Sequence, residues 1–142
     1  MRNMAASIRK NLLFVEDEQA IANLYIAAFQ GAGFDTVFHS NGTAALETLD
    51  TVASEYEKTG TRAIDIMILD ILLPDISGMD IMRKARELQA FNKTPIIMLT
   101  NFSSTKLKNE IAQMPNTEYL LKIDTTPNKL IDKIVPIIES NS

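Results

Sequence analysis

The chain has no cysteine and no tryptophan. The first absence removes disulfides, thiolate zinc sites and thiol nucleophiles together, and it accords with a reducing, cytoplasmic setting. Histidine is nearly absent too. His39 is the only one, and it lies past the second predicted strand, where it is expected to be exposed and uninvolved. With no second candidate, a histidine phosphotransfer domain is not expected. No apolar stretch approaches the roughly 18 residues of a membrane span. The first apolar run, Leu12–Val15, ends at three acids, so Met1–Lys10 does not introduce a signal peptide. Excess positive charge is also missing. Lys and Arg number 14 against 18 Asp and Glu, for a formal charge of -4, with no basic run interleaved with aromatics. Direct nucleic-acid binding and membrane association are therefore not expected of this domain.

What remains is an ordinary globular composition, 46% apolar and 23% charged over 142 residues, enough for one domain with a real core. The chain shows no repeat, low-complexity tract or linker. Its core is expected over about residues 10–138, with loose termini. Short apolar runs at Leu12–Val15, Thr36–Phe38, Ile64–Leu69, Pro95–Leu99 and Tyr119–Leu121 suit buried strands. Amphipathic stretches separate them. Ile21, Leu24, Tyr25, Ala28 and Phe29 fall on one helical face, closed by Gly31 and Gly33. Thr43–Lys58 forms a second helix, with an extended flank over Asp50–Ala63. A third runs from about Gly78 to Ala90, a fourth carries Leu107, Ile111 and Met114, and a fifth carries Leu130, Ile131, Ile134, Ile137 and Ile138. Pro136 is expected to kink or break that last helix. Strict alternation of five strands and five helices predicts an α/β parallel sheet, doubly wound, with helices on both faces.

Such sheets place ligand sites beyond the carboxyl ends of their strands. Glu16, Asp17 and Glu18 follow the first strand, Asp70 the third, Thr100 the fourth and Lys122 the fifth. Four strands thus deliver carboxylates, a hydroxyl and an ammonium to one edge. Clustered carboxylates repel unless a cation intervenes. Hard oxygen ligands favour Mg²⁺, which joins carboxylates to a phosphate. A carboxylate can itself accept a phosphoryl group, while Lys122 and Thr100 stabilise its oxygens. Glu18 is read as only opening a helix. Asp65, roughly 16 Å from Asp70 along the strand, is read as structural. Ser77 with Asp80 reads as a capping box, and the seven methionines as core filler.

The stretches LLFVEDE at 12–18, DIMILDILLPDISGMDIMRKAR at 65–86, TPIIMLT at 94–100 and YLLK at 119–122 resemble, in order and spacing, the receiver domain of bacterial two-component response regulators. The resemblance covers about Lys10 to Ile138. It implies a flavodoxin-like strand order 2-1-3-4-5 and a single receiver domain over 1–142. It implies that Asp70 is the phosphoacceptor, with Thr100 and Lys122 contacting the phosphoryl group. Asp17 would bind Mg²⁺ directly, Glu16 directly or through water, and the backbone carbonyl of Leu72 would be a further ligand. Tyr119 would be the switch aromatic, moving with Thr100. Pro74 and Gly78 match the turn before the third helix.

This sequence departs from the family pattern at three places. Ile123 replaces the proline that usually follows the lysine in a cis peptide. The last loop is therefore expected to change shape while Lys122 still reaches the site. Asn101 stands where a small residue follows the threonine, and is expected to hinder access to the phosphoryl group or alter its hydrolysis. Asn116 is expected to supply the turn before Tyr119 in place of glycine.

The function implied is a signalling switch that catalyses only its own phosphorylation and dephosphorylation. Its partners would be a sensor histidine kinase and a downstream protein or covalently attached output domain, since no DNA-binding, hydrolase or cyclase segment follows the fifth helix. Homodimerisation through the last two helices is compatible with this. Two alternatives are weighed beside it. One is a receiver-like adaptor that no longer switches. The other is a phosphatase of the haloacid-dehalogenase type, which would need a second Asp at the position of Leu72.

Overall fold

The computed structural model describes residues 10–140, so both the leader reading of the first residues and the expected looseness of the termini lie outside the described residues. Five strands, β1 (Lys10–Val15), β2 (Phe34–His39), β3 (Ile66–Leu69), β4 (Ile96–Thr100) and β5 (Thr117–Leu121), form one parallel sheet in the order β2-β1-β3-β4-β5. Helices α1 (Gln19–Gly31), α2 (Gly42–Thr59), α3 (Gly78–Glu87) and α4 (Thr105–Ala112) make the crossovers, and α5 (Pro127–Ser140) follows β5. This is the doubly wound architecture expected.

Side chains alternate across each strand, so the three central strands feed two cores. Leu12, Phe14, Ile66, Ile68, Ile97 and Leu99 pack against α1 and α5 through Ala22, Tyr25, Phe29, Leu130 and Ile134. Leu13, Val15, Met67, Leu69, Ile96 and Met98 pack against α2, α3 and α4 through Ala45, Leu49, Met79, Met82 and Ile111. Near-continuous apolar strands are what burial on both faces demands.

Local chemistry sets the boundaries. Asn41 Oδ1 accepts from Ala44 N at 2.8 Å and Ser104 Oγ from Leu107 N at 3.2 Å, each capping a helix start. Gly60, at φ 73°, ends α2, so the flank after Asp50 is helix through Thr59. Asn116, at φ 57°, supplies the turn before β5, as expected.

Four expectations are corrected. Strand β3 begins at Ile66 rather than Ile64, because the Asp65 carboxylate accepts the Asn11 N–H at 2.7 Å, a side chain standing in for the backbone ladder. Helix α3 stops at Glu87. Leu88 is extended, and a 3₁₀ turn over Gln89–Phe91 follows, which buries Ala90 and Phe91. Helix α5 runs unbroken through Pro136. The carbonyl that loses its donor belongs to exposed Asp132, where water can replace the missing N–H. Ser77 caps α3 through the Met79 N–H at 3.0 Å, whereas Asp80 pairs with Arg83 at 3.4 Å, so the cap is not the reciprocal box.

A feature absent from the sequence reading is the clamp made by Arg86. Its guanidinium donates to the carbonyls of Phe91, Thr94, Pro115 and Asn116 and to the Thr117 hydroxyl, at 2.7–3.3 Å. It thereby ties the segments entering β4 and β5 to α3. Burial pushes its pKa down, yet a guanidinium stays charged and its planar fork suits several carbonyls at once. Replacing Arg86 with lysine is expected to lower stability by about 2 kcal/mol, because one ammonium cannot satisfy those acceptors. Urea unfolding of the two proteins measures this, and an unchanged midpoint would refute the clamp.

Candidate functional site

Parallel pairing aligns the strand ends. Val15 sits opposite Leu69, and the ladder runs one step further, with Asp70 N donating to Val15 O at 3.0 Å and Glu16 N to His39 O at 3.1 Å. Glu16 and Asp70 are therefore placed side by side by backbone bonds. Their carboxylates and that of Asp17 offer oxygens lying within 4.8 Å of one another. Glu16 and Asp70 are buried and Asp17 is exposed, which gives the cluster a dry floor and an open mouth.

Lys122 reaches this floor from the end of β5. Its Nζ lies 2.7 Å from Asp70 Oδ2 and makes a second ion pair with Glu16 Oε1. Burial works against the ammonium, but the hydrogen bonds and charges of Asp70 and Glu16 outweigh it and hold its pKa above the ordinary lysine value. Glu16 is shifted up, chiefly by burial, with Lys122 and the Glu18 N–H opposing. That N–H donates to Glu16 Oε2 at 3.0 Å. Glu18 itself is exposed at the start of α1, as expected.

Asp17, Asp70, Leu72, Thr100, Asn101, Phe102 and Lys122 line one open cavity of about 400 Å³. Thr100 is buried, and its Oγ1 accepts the Phe102 N–H at 3.1 Å. Tyr119 is half-buried, and its hydroxyl donates to the Phe102 carbonyl. Lys122–Asp124 forms a 3₁₀ turn, and every peptide bond among the described residues is trans. Lys122 reaches the site all the same, as the sequence reading expects.

The loop after Asp70 owes its shape to two residues. Gly78 donates its N–H to Ile71 O at 2.9 Å. A Cβ at position 78 would lie 1.9 Å from the Asp70 carbonyl oxygen, so only glycine lets α3 start this close to the acidic strand end. Asp75, which the sequence reading did not single out, anchors the loop to α2. Its carboxylate accepts from Gly42 N at 2.8 Å and from Thr43 N and Oγ1 at 2.7 and 2.6 Å. Its partners are mostly backbone N–H groups, which leave no trace in residue identities.

Hydrogen bonds, the one from the Thr43 hydroxyl foremost, hold the Asp75 carboxyl well below the usual carboxylate range. A folded-state pKa below the unfolded value, about 3.9, stabilises the fold above that pH. The contribution fades as pH falls toward the folded value. Asp75→Ala should therefore differ most from wild type in thermal midpoint near neutrality and converge with it in acid. A gap that stayed constant from pH 7 to pH 3 would contradict this.

His39 corrects its sequence reading. It is half-buried, with Nε2 2.7 Å from Thr48 Oγ1, and burial lowers its pKa. It still stands outside the acidic cavity.

A family model described as the response regulator receiver domain matches residues 12–135. Among curated relatives, the DNA-binding response regulator MtrA of Mycobacterium bovis is 32% identical over 101 residues, covering 70% of this chain and 38% of that protein. The transcriptional regulatory protein TrcR of Mycobacterium tuberculosis is 34% identical over 89 residues, 63% of this chain and 30% of that protein. The chain thus matches well under half the length of these relatives. Among solved structures, the BeF₃-activated N-terminal receiver domain of Klebsiella pneumoniae RstA aligns with a TM-score of 0.72 at 27% identity, over 91% of this chain and 98% of that one. A CheY-like receiver domain protein from Methanospirillum hungatei aligns with a TM-score of 0.75 at 20% identity, over 92% and 94% of the two chains, and supports the fold alone.

Proposed function

The chain belongs to the response regulator receiver family of two-component systems, and from that premise we propose that it is a phosphorylation-controlled switch in which Asp70 accepts the phosphoryl group. The observation that carries this reading is the pairing of Asp70 with Lys122 at 2.7 Å inside a cluster of three carboxylates. An oxygen of Asp70 attacks phosphorus, the bond from phosphorus to the donor's imidazole nitrogen breaks, and the electron pair leaves with that nitrogen. Lys122 and the Thr100 hydroxyl meet the charge on the phosphoryl oxygens. Hydrolysis by water later returns Asp70 and releases phosphate. In this reading the chain turns over no other substrate, and a sensor histidine kinase is the donor.

The donor set fits Mg²⁺. Three carboxylates against one ammonium leave two negative charges, and all ligand atoms are hard oxygens. Asp17, Asp70 and the Leu72 carbonyl would hold the ion directly. Glu16, whose oxygens already serve Lys122 and the Glu18 N–H, would hold it through water. When bound, the ion supplies charge neutralisation during in-line transfer. Tyr119 is the switch aromatic in this reading. The readout surface is the groove of about 580 Å³ between α4, β5 and α5, where Tyr119, Lys108 and Lys129 lie. That surface would serve a downstream protein, an attached output domain or a second copy.

No helix among the described residues is long and apolar enough to cross a membrane, and a cytoplasmic location is part of the proposal. The chain as given, 1–142, is taken as one receiver domain. A phosphatase of the haloacid-dehalogenase type finds no support, since Leu72 occupies the position of the second acid. Incubation with a small phosphodonor, with Mg²⁺ or with chelator, tests the proposal. Intact-mass measurement should find one phosphoryl group in the Mg²⁺ sample alone. A wild-type protein that gains none would sink it.

A further inference from the structure

We infer that Asn101 is a positioning residue that fixes the separation of Thr100 and Lys122, by adding one side-chain rung to the β4–β5 ladder at the mouth of the acidic site. The inference rests on the functional reading above. Backbone pairing between β4 and β5 ends at Thr100 opposite Leu121. Past that pair the chains part. One turns toward α4, and the other folds into the 3₁₀ turn Lys122–Asp124, closed by Thr125 N on Lys122 O at 3.1 Å. N–H groups in the first turn of a helix have no partner within it. Asn101 Oδ1 supplies one from the neighbouring strand, accepting the Ile123 N–H at 2.9 Å.

The Ile123 side chain is 80% exposed, so what position 123 lends the site is its N–H rather than packing. On the other flank, Phe102 N donates to Thr100 Oγ1 and the Phe102 carbonyl accepts from Tyr119. Residues 101 and 102 are thus tied to the turn after β5 through Ile123 and to β5 itself through Tyr119. Asn101, Thr100, Lys122 and Asp70 line the same cavity. Two groups on different strands can grip one phosphoryl group only while their spacing is held, and a loosened rung lets each drift independently.

Asn101→Leu keeps the bulk and removes the acceptor, while Asn101→Ala removes both. Three quantities are read on the full chain: loss of the phosphoryl group from Asp70 in Mg²⁺ by intact mass, affinity for beryllofluoride by calorimetry, and Ile123 amide exchange by NMR. Both variants are expected to release beryllofluoride roughly three- to tenfold more readily, the worth of one hydrogen bond, and to lose the phosphoryl group roughly three- to tenfold more slowly, because the groups that drift are those that stabilise the charge developing in hydrolysis. The Ile123 amide should exchange faster in both, with the unfolding transition still cooperative and its midpoint lowered by only a few degrees. A wild-type lifetime in Asn101→Leu overturns the inference, including the case where only Asn101→Ala departs from it, which would make bulk the cause. Unaltered Ile123 exchange in the variants overturns it as well. A wild type that takes up no phosphoryl group overturns the functional reading and this one with it, and the wild-type sample alone identifies that failure.

Discussion

Asp70→Ala is expected to abolish phosphoryl incorporation entirely while leaving the protein folded. The chemical loss is total because no other residue offers a nucleophilic oxygen in the same position. Asp17 is exposed at the mouth, and Glu16 sits on the floor with both oxygens engaged. The fold survives because the backbone bond from Asp70 N to Val15 O at 3.0 Å holds the strand end without the carboxylate, whose own bond from the Leu72 N–H at 3.2 Å lies in a part-buried loop where water can replace it. Removing one of three clustered carboxylates also relieves like-charge repulsion. In chelator, then, the variant should unfold no earlier than wild type, and the stabilisation that wild type gains from Mg²⁺ should shrink. Intact mass after phosphodonor treatment and thermal melts with and without Mg²⁺ measure both arms. Equal phosphate uptake by the variant would move the acceptor elsewhere. A collapse of the fold in chelator would mean that the Asp70 side chain is structural.

The second large effect belongs to Lys122. Its ammonium is the only cation that the described residues bring to the acidic floor, through ion pairs with Asp70 and Glu16. Its side chain is 7% exposed and those of its partners 7% and 1%, so water screens the group poorly. Breaking a buried pair by removing one partner costs about 3–5 kcal/mol. Lys122→Met should fall at the low end, about 3 kcal/mol, because the cavity mouth lets water and protons reach the carboxylates. The loss should be largest in chelator and partly recovered by Mg²⁺, which supplies the missing positive charge. Phosphorylation should slow about a hundredfold, the usual effect of removing one donor to a developing anion. Urea unfolding in chelator and in Mg²⁺, with the rate of phosphate uptake, tests these outcomes. A variant as stable as wild type in chelator would show that the carboxylates do not depend on the ammonium. Unslowed uptake would remove Lys122 from the transfer step.

These expectations differ in how visible their residues are in the sequence. The acidic cluster was legible because strand ends are written in apolar runs, and an α/β sheet brings strand ends together, while the strand order came from the family resemblance. Glu16, Asp17, Asp70, Thr100 and Lys122 each stand one or two steps beyond, or at the last residue of, such a run. The structure brings all five together. Asp75 and Arg86 were illegible for the opposite reason. Their partners are mostly backbone N–H and carbonyl groups, which every residue has, so little in the letters marks a carboxylate that will find Gly42 and Thr43 or a guanidinium that will find four carbonyls. Helix α5 was misjudged at Pro136 because the penalty of proline depends on whether the orphaned carbonyl faces water.

By itself, then, the sequence determined the doubly wound sheet, the two cores that alternation builds on its faces, and the chemistry assembled at its carboxyl edge. Periodicity and strand ends are local, and local patterns survive in one dimension. Tertiary structure decided the rest: that Lys122 bridges Asp70 and Glu16 from a trans-linked 3₁₀ turn, that Gly78 lies too close to the Asp70 carbonyl for any side chain, and that Asn101 closes on the Ile123 N–H. Each of those is a distance between groups that no local pattern relates, and such a distance exists only once the strands have paired and the loops between them have been pulled into place.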